Sequence, residues 1–174
     1  MRYNPVGNTG IMLSELGFGA SPLGDMYHQT FTQDMANDYI AYALDHGITY
    51  FDVAPYYGLG LAEERLGKAL SPYKEKAIKS TKVGRYGDTE FDFSAARVES
   101  SIKTSLARFS RDYLDIVFCH DIEFTSKTML INETLPALQT LKEQGLIKAI
   151  GISGHPLPAL LDLAEDSRVD IVLS

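Results

Sequence analysis

The sequence predicts an α/β fold assembled from parallel β/α units, on three observations. Short apolar or β-branched runs alternate with amphipathic segments along all 174 residues. Successive strand starts lie on average about 31 residues apart, close to the length of one βαβ unit. Several of the strand runs close on a polar side chain, the end at which α/β proteins build their sites.

The elements follow in order. Asn4–Met12 carries Gly7, Asn8 and Gly10, a turn signature that predicts an N-terminal hairpin over residues 1–14. Residues 15–174 then form the β/α units of a single domain, with no linker or low-complexity segment dividing them. Strands are predicted at Leu16–Gly19, Tyr50–Asp52, Ala77–Lys82, Asp115–Cys119, Ala149–Ser153 and Asp170–Leu173. Ala36, Tyr39, Ile40, Ala43 and Leu44 share one helical face, with Gly47 as the stop. Ala62, Leu66 and Ala69 trace a second helix that ends at Ser71-Pro72. From Ala95 a third face runs through Val98, Ile102, Leu106 and Phe109, with Ser94 at the N-cap. Leu135, Leu138 and Leu141 form the fourth, stopped at Gly145, and Leu157, Leu160, Leu161 and Ala164 form the fifth. Six strand signals suit either an open doubly wound sheet or part of an eight-stranded barrel, which needs about 250 residues when closed.

Bulk properties remove whole classes of function. Apolar residues make up 45% and charged residues 22%, an ordinary globular composition. The net charge of −7 excludes the basic face that a nucleic-acid binder needs. No apolar run approaches the ~20 residues of a membrane span. The single cysteine, Cys119, rules out a disulfide framework and suits a reducing compartment. Met1–Gly10 has no leader character, so a cytoplasmic location is expected.

Four polar residues fall at or near strand ends: Asp52, Tyr57 five residues later in Ala54-Pro55-Tyr56-Tyr57-Gly58, Lys82, and His120 after Ile116–Cys119. Adjacent parallel strands are about 4.8 Å apart, so these side chains can converge above one end of the sheet. Their combination has a chemical logic. A phenol ionises near ~10, too high for acid–base work at neutral pH. An ammonium ~4 Å away interacts with a phenolate by about 4 kcal/mol at an effective dielectric of 20, enough to bring the phenol well below its usual range. Asp52 would hold the Lys82 ammonium in place, at the cost of weakening its field on Tyr57. His120 would hydrogen-bond the reacting oxygen. Such a group suits proton transfer coupled to hydride transfer at a carbonyl or hydroxyl carbon.

Other signals carry less. Gly17-Phe18-Gly19 and Gly58-Leu59-Gly60 lack the third glycine of a dinucleotide fingerprint. Cys119 and His120 with His28, His46 and His155 lack metal-ligand spacing, so no metal is expected. Glu63, Glu64 and Arg65 read as a solvated helix start.

Phe51-Asp52-Val53-Ala54-Pro55-Tyr56-Tyr57-Gly58, Ser80-Thr81-Lys82 and Asp115–Asp121 resemble the three tetrad segments of the aldo-keto reductases, and Leu16–Gly19 and Gly151-Ile152-Ser153 also match that family. Gly17–Gly24, Phe91–Arg97 and His120–Phe124 bring the resemblance closest to its sugar-oxidising branch, the L-galactose and L-fucose (D-threo-aldose) 1-dehydrogenases. The resemblance implies a (β/α)8 TIM barrel, incomplete over these residues, with about six β/α units and strands seven and eight missing. It implies Tyr57 as the proton-transferring residue, Lys82 as the group that lowers its pKa, Asp52 as the partner of Lys82 and His120 as the contact to the substrate oxygen. It also implies NAD or NADP as cofactor, with Ser153 and Gly154 near the nicotinamide carboxamide and Gly19, Ala20 and Ser21 under the nicotinamide ribose. Two positions depart from the family pattern. Gly154 stands where most reductases of the family carry Asn, and Ser21 where many carry an aromatic.

The resulting expectation is an NAD(P)-dependent oxidoreductase that moves a hydride from C1 of an aldose and yields a lactone. The alternatives are a general aldehyde or ketone reductase and a non-catalytic relative that acts by binding. The partners expected are a small sugar or carbonyl substrate, with no nucleic acid and no membrane. By itself the 174-residue chain is expected to be catalytically silent and to self-associate through exposed barrel edges.

Overall fold

The computed structural model describes residues 1–28, 30–73 and 75–174; the side chain of His28 lies outside the described set. A hairpin, β1 (Tyr3–Pro5) and β2 (Met12–Ser14), precedes six parallel strands. These are β3 (Gly17–Gly19), β4 (Tyr50–Asp52), β5 (Ile78–Val83), β6 (Leu114–Cys119), β7 (Ile147–Ser153) and β8 (Ile171–Leu173), paired in chain order. The strand positions agree with the sequence reading to within about two residues at either end. Edges β3 and β8 are not paired with one another, so the sheet is an open, partial TIM barrel of six strands.

Helices α1 (Gln33–Asp45), α2 (Leu61–Leu70), α3 (Ala95–Phe109), α4 (Lys127–Met129), α5 (Leu135–Glu143) and α6 (Leu157–Ala164) cross between the strands. Thr32 caps α1 by accepting from the Met35 amide at 3.2 Å, and Ser94 caps α3 by accepting from Arg97 at 3.4 Å. The helix read from Leu135 in fact begins at Lys127 and runs through a π-helical turn, Leu130–Thr134. Pro136 has no N–H to offer the turn before it, and that turn widens accordingly.

Side chains alternate across each strand, so the sheet has two apolar faces. Phe51, Val83, Val117, Cys119, Ile150 and Ile152 face outward and pack with the buried residues of the helices. Ile116, Phe118 and Ala149 face inward and meet Val6 and Ile11 of the N-terminal hairpin, which covers that end of the sheet. The inner layer is tight: a Cβ at Gly151 would run into the Phe118 ring.

One sequence reading is corrected here. Glu63 is wholly buried rather than solvated, and accepts from Thr81 Oγ1 at 2.5 Å, Ser105 Oγ at 2.7 Å and Arg108 Nη1 at 2.7 Å. Arg65 is also drawn in, pairing with Asp25 at 2.7 Å. Only Glu64 stays exposed. The first turn of α2 lies against β5 and α3, and three donors there compensate the desolvation of one carboxylate.

Candidate active site

Period-two alternation turns Tyr50 and Asp52, Ser80 and Lys82, Phe118 and His120, and Gly151 and Ser153 to the inner face. Asp52 closes β4, Lys82 lies one residue from the end of β5, Ser153 closes β7, and His120 follows β6 with its amide bonded to the Val83 carbonyl at 2.8 Å. Tyr57 arrives from the loop after β4. That loop and the turn after β3 approach backbone to backbone, and a Cβ at Gly24 would stand 2.6 Å from the Tyr57 carbonyl oxygen. Glycine at 24 therefore lets the Tyr57 loop settle over the strand ends.

The four sequence-predicted residues come together around one cavity of about 210 Å³, whose lining also includes Asp121, Ser153 and Gly154. Lys82, 2% exposed, donates to Asp52 Oδ2 at 2.6 Å and to the Val53 carbonyl at 2.9 Å. Its ammonium lies 5.1 Å from the centre of the Tyr57 ring. The Tyr57 and His120 rings are 5.9 Å apart and nearly perpendicular, at 85°. Gly19 pairs with Asp52 in the register and has open space where a side chain would be. Ala20 is buried, with its amide given to the Asp52 carbonyl at 2.8 Å. Gly19, Ala20 and Ser21 do not line the cavity that holds the four residues.

Electrostatics qualify the sequence reading. Burial, followed by the carboxylates of Asp52 and Asp121, pushes the Tyr57 phenol above its ordinary value, against the pull of Arg85. The expectation of a lowered phenol is therefore corrected. Burial is the largest cause, and it outweighs the opposing pull of Arg85. Burial also lowers Lys82, against the pull of Asp52. Burial, then the Lys82 ammonium, pushes His120 far below its ordinary value, so its imidazole is neutral at physiological pH. His120 Nδ1 is buried without a partner, and Nε2 lies 3.7 Å from Asp121 Oδ2.

Sequence reasoning missed several supporting residues. Ser80 donates to Asp52 Oδ1 at 2.6 Å, so Tyr50 donates to Ser80 in turn, at 2.9 Å. The clue was available: Ser80 precedes Lys82 by two positions and so shares its face. Arg85 and Asp121, paired at 2.6 Å beside His120, had no comparable signal. Among the described residues, no group of three or more His, Cys, Asp or Glu side chains is arranged to hold a metal, and no helix is long and apolar enough to cross a membrane.

Residues 15–174 match the family model of the Aldo/keto reductase family, and the chain belongs to that family. It is 46% identical over 175 residues to the L-galactose dehydrogenase of Arabidopsis thaliana, covering 97% of this chain and 54% of that protein. To the D-arabinose 1-dehydrogenase of Saccharomyces cerevisiae it is 39% identical over 158 residues, covering 88% and 46%. Among solved structures, the holo form of an aldo-keto reductase from Bacillus halodurans superposes with a TM-score of 0.86 at 30% identity, covering 99% of this chain and 56% of that one. The chain thus spans about half the length of the curated relatives it matches.

Proposed function

We propose that the protein is an NAD(P)-dependent oxidoreductase that oxidises C1 of an aldose, of the L-galactose or L-fucose kind, to a lactone. The observation that carries this reading is the convergence of Tyr57, the Lys82–Asp52 pair and neutral His120 on one cavity. The similarity to two aldose dehydrogenases supports the choice of substrate.

The residues present suit the nicotinamide end of such a cofactor. Ser153, whose hydroxyl donates to the Cys119 carbonyl at 3.2 Å, lines the cavity, Gly154 adds bulk-free backbone beside it, and the space over Gly19 is open. Ser153 and Gly154 would face the carboxamide, and Gly19, Ala20 and Ser21 the ribose. A bound nicotinamide supplies hydride exchange at the substrate carbon.

The protein's own residues manage the proton and the geometry. His120 Nε2–H donates to the reacting oxygen and fixes its direction. Tyr57, protonated at neutral pH, gives its proton to that oxygen when a carbonyl is reduced. In the oxidation direction its phenolate takes the anomeric hydroxyl proton. Lys82 steadies the phenolate, and Asp52 holds Lys82 under it. The protonated phenol also favours a second reading, a general carbonyl reductase running the reverse reaction.

The test is NAD(P)H formation by the protein expressed from its complete reading frame, with L-galactose, L-fucose and D-arabinose as substrates. Aldose-dependent formation is expected. Reduction of simple aldehydes with no aldose oxidation would favour the second reading, and inertness toward both would overturn the assignment.

A further inference from the structure

We infer that Arg85 and Asp121 form a polyol-recognition element beside the reacting groups, selecting a neutral, polyhydroxylated substrate over simple aldehydes, sugar acids and sugar phosphates. The inference rests on the oxidoreductase reading of the adjoining site and assigns that site its specificity.

Asp121 takes a left-handed backbone conformation, φ 53°, unusual for a residue other than glycine. Its amide is anchored on Ser153 Oγ at 3.4 Å, and the residue lines the cavity with Tyr57 and His120. Oδ2 accepts from Arg85 Nη1 at 2.6 Å and lies 3.7 Å from His120 Nε2. A hydroxyl next to the one held by His120 therefore meets a carboxylate with acceptor sites to spare, since Arg85 occupies one of about four.

The Arg85 guanidinium is held from its other side by aromatic rings. Its centre lies 4.0 Å from the Tyr56 ring, 5.5 Å from Phe91 and 5.8 Å from Phe124. Tyr56 is fixed by donating to Asp88 at 2.8 Å. Arg85 Nε is enclosed without a partner, so the pair is not built for full mutual satisfaction, as a purely structural one would be. Phe91 and Phe124 stack at 4.3 Å and 20°, yet Phe124 stays 54% exposed. Asp121 lines the cavity while Arg85, Phe91 and Phe124 lie behind it. An exposed aromatic side chain next to a carboxylate and a guanidinium suits a sugar, which offers a C–H face to the ring and vicinal hydroxyls to the charges.

Charge balance sets the class. Lys82 and Arg85 are each cancelled by a carboxylate, Asp52 and Asp121. Among the described residues, the ion pairs around the reacting groups therefore leave no surplus cation for a carboxylate or phosphate, and a neutral ligand fits.

The experiment compares wild-type protein from the complete reading frame with Asp121→Asn, Asp121→Gly and Arg85→Met. Asn and Gly both tolerate the left-handed conformation, so either variant tests the carboxylate if the other fails to fold. The readout is kcat/KM for oxidation of a neutral aldohexose divided by kcat/KM for reduction of hexanal. This ratio is expected to fall at least tenfold in each variant, mainly through the aldose KM, and the wild type is expected to prefer the aldohexose over its 6-phosphate and its aldonate at least tenfold. An unchanged ratio, or phosphate or aldonate bound as well as the parent sugar, overturns the inference and leaves the oxidoreductase reading standing. A wild-type protein inert toward both aldohexose and hexanal overturns that reading and the inference with it.

Discussion

Ser80 stands between a buried phenol and the partner of the site lysine: its hydroxyl donates to Asp52 Oδ1 at 2.6 Å while Lys82 holds Oδ2 at 2.6 Å. Both oxygens of Asp52 are thereby fixed, and Tyr50 behind Ser80 completes the relay. Ser80→Ala removes one bond to a carboxylate and strands the Tyr50 hydroxyl, so stability should fall by about 1–3 kcal/mol in denaturant melts. In the complete protein Ser80→Ala should also lower kcat and move the pH–rate profile, because Asp52 no longer holds Lys82 in one geometry. A variant with wild-type kcat and pH profile would reduce Ser80 to a packing residue.

Tyr57→Phe should cost turnover about 10²–10⁴-fold and leave cofactor affinity nearly unchanged, since the hydroxyl acts on the proton. The raised phenol fixes the sign of the pH dependence. Oxidation needs phenolate and should speed up as pH rises through the alkaline range. Reduction needs phenol and should hold level through neutrality, falling only at high pH. Lys82→Met should displace both profiles further toward alkaline pH. Steady-state rates across pH in each direction check this.

The depressed His120 makes acid lability a second expectation. Its folded value lies below the unfolded one, near ~6.5, so unfolded chains bind the extra proton first. The stability associated with neutral His120 is intact above ~6.5 and is lost progressively as pH falls below it. His120→Asn should flatten that part of the curve of denaturation midpoint against pH.

Glu63→Ala should destabilise the fold by about 2–4 kcal/mol, because it leaves Thr81, Ser105 and Arg108 facing a void without an acceptor. Glu64→Ala, one residue on and exposed, should stay within about 0.5 kcal/mol. Equal effects at the two positions in equilibrium unfolding would contradict the buried network.

Expressed alone, a polypeptide of residues 1–174 presents the unpaired edges of β3 and β8, with Val172 and Leu173 exposed beside one of them. Free parallel edges recruit other strands. Sedimentation should show concentration-dependent association, and aldose-dependent NAD(P)H formation should be absent. A monodisperse monomer with a cooperative melt would count against it.

The alternation of apolar runs with 3.6-period faces, read by itself, placed six strands and the main crossover helices, because both periodicities are written in local order, and the turn residues Gly7, Asn8 and Gly10 placed the hairpin. It also marked Asp52, Tyr57, Lys82 and His120, since strand-end polar residues stand out against apolar runs. Contacts between residues far apart in sequence were not legible. Ser80 looked like part of a strand, Glu63 like a surface charge, and Leu135 like the start of the fourth helix. Each was decided by what the fold set against it: Asp52 across one strand, three donors from two elements, and a turn wide enough to do without the missing N–H. The direction of the Tyr57 shift belongs to the same class. Which residues carry charge is a property of the sequence, but whether a phenol beside them is raised or lowered depends on burial and on which charges stand nearest it. Only the tertiary structure decides those distances.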